Sequence, residues 1–147
     1  MVLVAIDFSD GSDEALAQAI DLAKQTGATL DILHVVEFGA EVFPYGLSYF
    51  EDRGGLIAHL DRELSRRADM AAATGVTART RLREGSAARE ILEHAREIGA
   101  DLVVVGTHGR TGLAHALLGS VAERVVRHAR VPVLTIPFSK RTEKTAA

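Results

Sequence analysis

The chain has 147 residues, 47% of them hydrophobic and 25% charged, with a formal net charge of -3 and a pI near 6.1, a balance that suits a soluble globular domain and excludes a fibre or a disordered chain. Absence of cysteine removes disulfides, thiolate nucleophiles and cysteine-ligated clusters, and the mild acidity gives no electrostatic footprint for nucleic acid. The first residues enter an apolar run with no basic leader, and no apolar run approaches the ~18 residues of a membrane span, so the expected setting is the cytoplasm, away from membranes.

Val2 to Ile6 is a short apolar run that predicts a strand, closed by Asp7; Ser9-Asp10-Gly11-Ser12 then turns the chain and caps a helix. Ala15, Leu16, Ala19, Ile20 and Ala23 recur at helical spacing, and Gly27 supplies the stop. Leu30 to Val36 reads as the second strand. Leu56, Ile57, Leu60, Leu64 and Ala68 mark a second helix ending near Gly75, and Val76 to Leu82 is the third strand. Ser86 caps a third helix that turns Ile91, Leu92, Ala95 and Ile98 inward, and Gly99 ends it. Leu102 to Val105 is the fourth strand, a helix with Val121, Val125 and Ala129 follows, and Val131 to Ile136 is the fifth strand, where Pro132 suits a strand start or an edge.

Strands alternating with helices imply right-handed crossovers and a doubly wound α/β fold, a parallel sheet covered on both faces. No repeat or linker divides residues 1–138, which read as one domain, and the polar tail 139–147 is expected to fray into solvent. Ligands of such sheets sit beyond the carboxyl ends of the strands where the strand order reverses. If strands one and four are central neighbours, Asp7 and the loop that starts at Gly106 meet there.

That loop runs Gly106-Thr-His-Gly109-Arg-Thr-Gly112 and leads to Gly119-Ser120 at a helix start. Glycines let backbone amides approach an anion, and the first amides of a helix suit a phosphate. The order is neither the P-loop nor the Gly-x-Gly-x-x-Gly fingerprint, and from spacing alone a phosphate cradle and a set of turn glycines stand equal. Asp7 suits hydroxyl recognition, since a carboxylate only accepts hydrogen bonds, or serves as a turn or capping aspartate. Ser120 suits an N-cap as well as a phosphate site. Arg110 suits either a terminal phosphate or solvent. His34, His108 and His115 lack close ligand spacing and read as structural or loop histidines rather than a metal site. Phe38, Phe43, Tyr45, Tyr49 and Phe50 crowd one segment, which reads as a lid, a partner surface or a satellite cluster against the second helix.

Strand-Asp7-Phe8-Ser9, Leu33-His34-Val35 at the end of strand two, and Gly106-x2-Gly109-x9-Gly119-Ser120 together resemble the universal stress protein family, nearly end to end, and its ATP-binding branch in the glycine pattern. The resemblance implies a Rossmann-like (adenine nucleotide alpha hydrolase-like) five-stranded sheet ordered 3-2-1-4-5 and a homodimer joined through the last strand. It implies that Asp7 contacts ribose or base, that Val35 meets the adenine edge through its backbone, and that Gly106 faces the ribose. By the same resemblance Gly109, Gly119, Ser120 and Val121 hold the phosphates, and Ala5 and Val105 line the pocket; independently of it, a Mg2+ ion can come with ATP, held mainly by phosphate oxygens. Where other members have threonine or proline just before the first aspartate, this chain has Ala5-Ile6. No Walker lysine is present and only Arg110 offers a charge clamp, so the expectation is an ATP-binding stress-response protein with slow turnover or none. The alternatives are a slow ATPase or nucleotidyl-transfer enzyme, and a nucleotide-free dimeric interaction protein. A protein partner stays open in each.

Overall fold

The computed structural model describes residues 1–37, 53–107 and 118–138. Its elements are β1 (Val2–Ala5), α1 (Asp10–Thr26), β2 (Leu30–Val36), α2 (Arg53–Ala73), β3 (Ala78–Glu84), α3 (Ala87–Glu97), β4 (Leu102–Gly106), α4 (Ser120–His128) and β5 (Val133–Ile136). The sheet is ordered β3-β2-β1-β4-β5 with every pair parallel, the expected α/β architecture.

The central strands are apolar at nearly every position because both of their faces are covered. Val2, Val4, Leu30 and Ile32 pack with Ala15, Leu16, Ala19 and Ala23 of α1 and Leu64 and Ala71 of α2. Leu3, Leu33, Val103 and Val105 point the other way, onto Ala88, Ile91 and Ala95 of α3 and Ala122 and Val125 of α4.

Several boundaries differ from the sequence expectation, each for a local reason. Val76 belongs to the end of α2 and not to a strand: Gly75 adopts φ +88, and the Val76 amide turns back to the Ala71 carbonyl at 3.3 Å, the Schellman arrangement with its buried apolar residue. β3 therefore starts at Ala78 and runs on through Arg83 and Glu84, which pair in register with Val35 and Val36. Ser86 makes no side-chain cap; a Glu37 carboxylate oxygen accepts from the Ala87 amide at 2.6 Å instead, anchoring α3 to the exit of β2. On α3 the buried positions include Glu90 and His94, while Leu92 and Ile98 are only partly covered. On α4 Ala122 and Val125 face inward, Val121 is half-buried, and Ala129 lies just past the helix. Val131 and Pro132 precede β5, and the Pro132 carbonyl accepts from the Val103 amide at 3.0 Å.

Glu90 and His94 of α3 are buried, and with Glu97 at the surface they join a network. Asp31 accepts from His94 Nε2 at 2.9 Å, and Arg83 bonds Glu90 at 2.8 Å and Glu97 at 2.7 Å. The Arg83 hydrogen bond holds the Glu97 carboxyl below the usual carboxylate range and, reciprocally, raises Arg83. A carboxylate with a lowered folded-state pKa contributes stability that is present above its unfolded value and is lost as pH falls through the folded one. Urea unfolding from neutral to acid pH should therefore show a shallower acid loss in Glu97→Gln than in wild type. Superimposable acid limbs would contradict the assignment.

Candidate functional site

From β1 the chain crosses to β2 on one side, and from β4 it crosses to β5 on the other, so the crevice of the fold opens where β1 and β4 lie side by side. Ala5 pairs with Leu33 and Val105 at its floor. Ala5, Val35 and Val121 are half-buried on the α3 and α4 side, packed against the cluster that contains Val105. Asp7, Gly106 and Gly119 are half-buried at the rim, and Ser120 is exposed. The structure thus brings together eight of the ten residues singled out from the sequence; the other two, Gly109 and Arg110, lie outside the described residues, as do His108, Gly112, His115 and the aromatics of 38–50.

Asp7 is held by a tight turn. Its Oδ1 accepts from the Ser9 amide at 3.0 Å and from the Ser9 hydroxyl, while its own amide donates to Ser12 Oγ at 3.2 Å. Ser9, not Asp7, is the N-cap of α1, accepting from the Ser12 amide at 3.3 Å. Asp7 props that cap, with its backbone at the end of β1.

The two rim glycines are dictated by the protein's own backbone. A Cβ on Gly106 would stand 3.0 Å from the Gly11 carbonyl oxygen, so α1 can press against β4 only because none is there. A Cβ on Gly119 would stand 2.9 Å from the Thr107 carbonyl oxygen, which also accepts the Gly119 amide at 2.7 Å. The Thr107 amide in turn donates to the Ile136 carbonyl at 2.9 Å. Gly119 is the N-cap of α4 and Ser120 its first helical residue, so the N-cap role open to Ser120 falls to Gly119, which has no side chain to offer. The opening amides of α4 and the positive end of its dipole lie at the crevice rim, an arrangement that accepts an anion.

His34 is structural. Its Nδ1 lies 2.8 Å from the Ile6 carbonyl oxygen and its ring packs on Phe8 at 4.4 Å between centroids. Among the described residues no group of three or more His, Cys, Asp or Glu side chains is disposed to hold a metal. Sequence reasoning gave no role to the Thr107 carbonyl, which takes the Gly119 amide, or to the Phe8 ring, which packs on His34. The placement of a phenylalanine between an aspartate and the capping serine was the one available sign of the latter.

The profile of the Universal stress protein family matches residues 1–137. A universal stress protein of Methanocaldococcus jannaschii is 39% identical over 145 residues, 95% of this chain and 83% of that relative. Universal stress protein UspA from Lactobacillus plantarum superposes with a TM-score of 0.81 at 26% identity, covering 92% of this chain and 95% of its own. A universal stress protein solved in complex with cAMP superposes with a TM-score of 0.70 at 31% identity, covering 94% and 97%.

Proposed function

The chain belongs to the universal stress protein family, and from that membership we propose that it is a nucleotide-binding regulatory protein that takes ATP in the crevice between β1 and β4. The observation that carries the reading is the meeting, at one end of the sheet, of the Asp7 carboxylate, the half-buried apolar shelf of Ala5, Val35 and Val121, and the start of α4 with glycine as its N-cap. A relative solved with cAMP supports an adenine nucleotide. In this reading Asp7 accepts from ribose hydroxyls, the Val35 backbone meets the adenine edge, Ala5 and Val105 line the pocket, and the Gly106 backbone faces the ribose. Gly109, Ser120 and Val121 hold phosphates, Arg110 neutralises the terminal one, and Gly119 shapes the turn that presents them. A Mg2+ ion rides on the phosphate oxygens. Binding, and not turnover, is the activity, in the cytoplasm. No helix among the described residues is long and apolar enough to cross a membrane.

Calorimetry tests this. ATP should bind with micromolar-range affinity, about -8 kcal/mol, because several amides and a carboxylate converge on it. Gly109→Val, which blocks the backbone's approach, should weaken it by about tenfold or more. No heat with ATP, or an unchanged affinity in the folded variant, would remove the assignment.

The reading includes a homodimer through β5, one edge of the sheet, where Leu134 is 38% and Val126 on α4 46% exposed. The Val103 amide bonds the Pro132 carbonyl and the Thr107 amide the Ile136 carbonyl, so by strand alternation the even positions face β4 and the amides of Val133 and Thr135 face the open edge. Thr135→Pro therefore removes an outward donor and leaves the β4 ladder intact. Light scattering at micromolar concentration should give a wild-type dimer and a dissociated variant; a monomeric wild type, or a variant dimer of equal tightness, speaks against pairing through β5.

A further inference from the structure

Phe8 has φ +64, the one non-glycine residue at positive φ among the described residues. A bulky side chain occupies that region only where its surroundings impose it, and such residues gather at functional turns. Here the surroundings are specific. The His34 ring lies against one part of the Phe8 ring at 4.4 Å and 47°, and the Arg67 guanidinium carbon stands 4.7 Å from the ring centroid.

Both neighbours are themselves fixed. His34 is buried, with Nδ1 on the Ile6 carbonyl oxygen at 2.8 Å. Arg67, on α2, grips both carboxylate oxygens of Asp13 at 2.9 and 3.1 Å, and its Nη1 donates to the Glu63 carbonyl and carboxylate, each at 3.2 Å. A ring between two anchored partners has one place to be, and cation-π attraction adds to the packing.

The torsion at Phe8 decides where Ser9 goes. With Phe8 left-handed, the Ser9 amide and hydroxyl both return onto Asp7 Oδ1, which fixes the carboxylate at the crevice rim. We infer that Phe8 is a positioning residue of the nucleotide site, clamped by Arg67 and His34 so that helix α2 presets the Asp7 carboxylate before ligand arrives. The inference rests on the nucleotide reading above. Its distinct content is that affinity depends on a residue of α2 that faces away from the crevice floor, on the α1 and α2 side of the sheet.

Three variants separate the backbone from the ring. Phe8→Ala keeps a Cβ that resists positive φ and loses the ring; Phe8→Gly loses the ring and takes the conformation freely; Arg67→Met keeps length and apolar contact but loses the cation. ATP affinity measured by calorimetry on folded proteins should fall by about tenfold in Phe8→Ala, fall less in Arg67→Met, and recover in Phe8→Gly relative to Phe8→Ala. Hydrogen exchange at the Ser9 amide should be slow in wild type and fast in Phe8→Ala, with Phe8→Gly between them. A wild type that binds ATP together with unchanged affinity in Phe8→Ala and Arg67→Met overturns the inference and leaves the nucleotide reading standing. A wild type that gives no response to ATP overturns that reading and the binding role together, while Ser9 exchange still decides whether the clamp sets the turn: unaltered exchange in Phe8→Ala rejects it.

Discussion

Replacing Asp31 by alanine should destabilise the fold by about 1–3 kcal/mol, since removing the acceptor leaves the buried His94 N–H unsatisfied. Asp31 sits on β2 inside the sheet at 5% exposure, and His94 at 3% meets it from α3. The far ring nitrogen of His94 lies 3.5 Å from Arg83 Nη1, so the imidazole stands between a guanidinium and a carboxylate that accepts its Nε2 proton. Without Asp31 that proton has no acceptor within an apolar layer. Asp31→Leu combined with His94→Leu removes both polar groups and should cost less than either single change, a non-additivity that urea unfolding reads directly. A loss under about 1 kcal/mol in Asp31→Ala, the net worth of an ordinary hydrogen bond, would show that water enters the site.

The second large effect concerns ligand. Asp7→Asn keeps an oxygen for the Ser9 amide and hydroxyl, so the turn survives, but it replaces a charged acceptor by a neutral group with a donor end. Hydrogen bonds to charged groups contribute about 1.5–3 kcal/mol, which converts to roughly a ten- to hundredfold loss of ATP affinity. Asp7→Ala should lose at least as much affinity and also stability, because Ser9 loses its anchor. The ribose role has its own control: 2′-deoxy-ATP should bind wild type more weakly than ATP, and the difference should shrink in Asp7→Asn. Equal affinity of wild type and Asp7→Asn for ATP would assign Asp7 to the turn alone.

Much of this architecture is written locally. The apolar run of β2 has the limits that its composition predicts, and Gly27, Gly75 and Gly99 each end a helix at positive φ because left-handed backbone is a property of one residue. Periodicity failed where a partner far along the chain decided the outcome. β3 extends to Glu84 because β2 offers a register partner there, and Ser86 lies idle as a cap because Glu37, 50 residues away, takes the amide. At the site, Asp7, Gly106 and Gly119 stand in short motifs, which is why the sequence could single them out as candidates. The Phe8 clamp was not legible, because Arg67 reaches Asp13 across 54 residues and His34 reaches Ile6 across 28, separations that no local pattern encodes.

The contact between Gly106 and Gly11 sets a mechanical property. At Gly85 an added Cβ would meet the Glu90 side chain, whereas at Gly106 it would meet a backbone carbonyl locked into the first turn of α1. Nothing at that point has a rotamer to yield, so an intruding methyl group would have to lever the helix as a rod. With 17 residues rising ~1.5 Å each, α1 is about 25 Å long, and a fulcrum at its first turn magnifies any tilt toward Thr26. The far end of α1, remote from the crevice, is thus where a disturbance at Gly106 would be felt as the largest displacement.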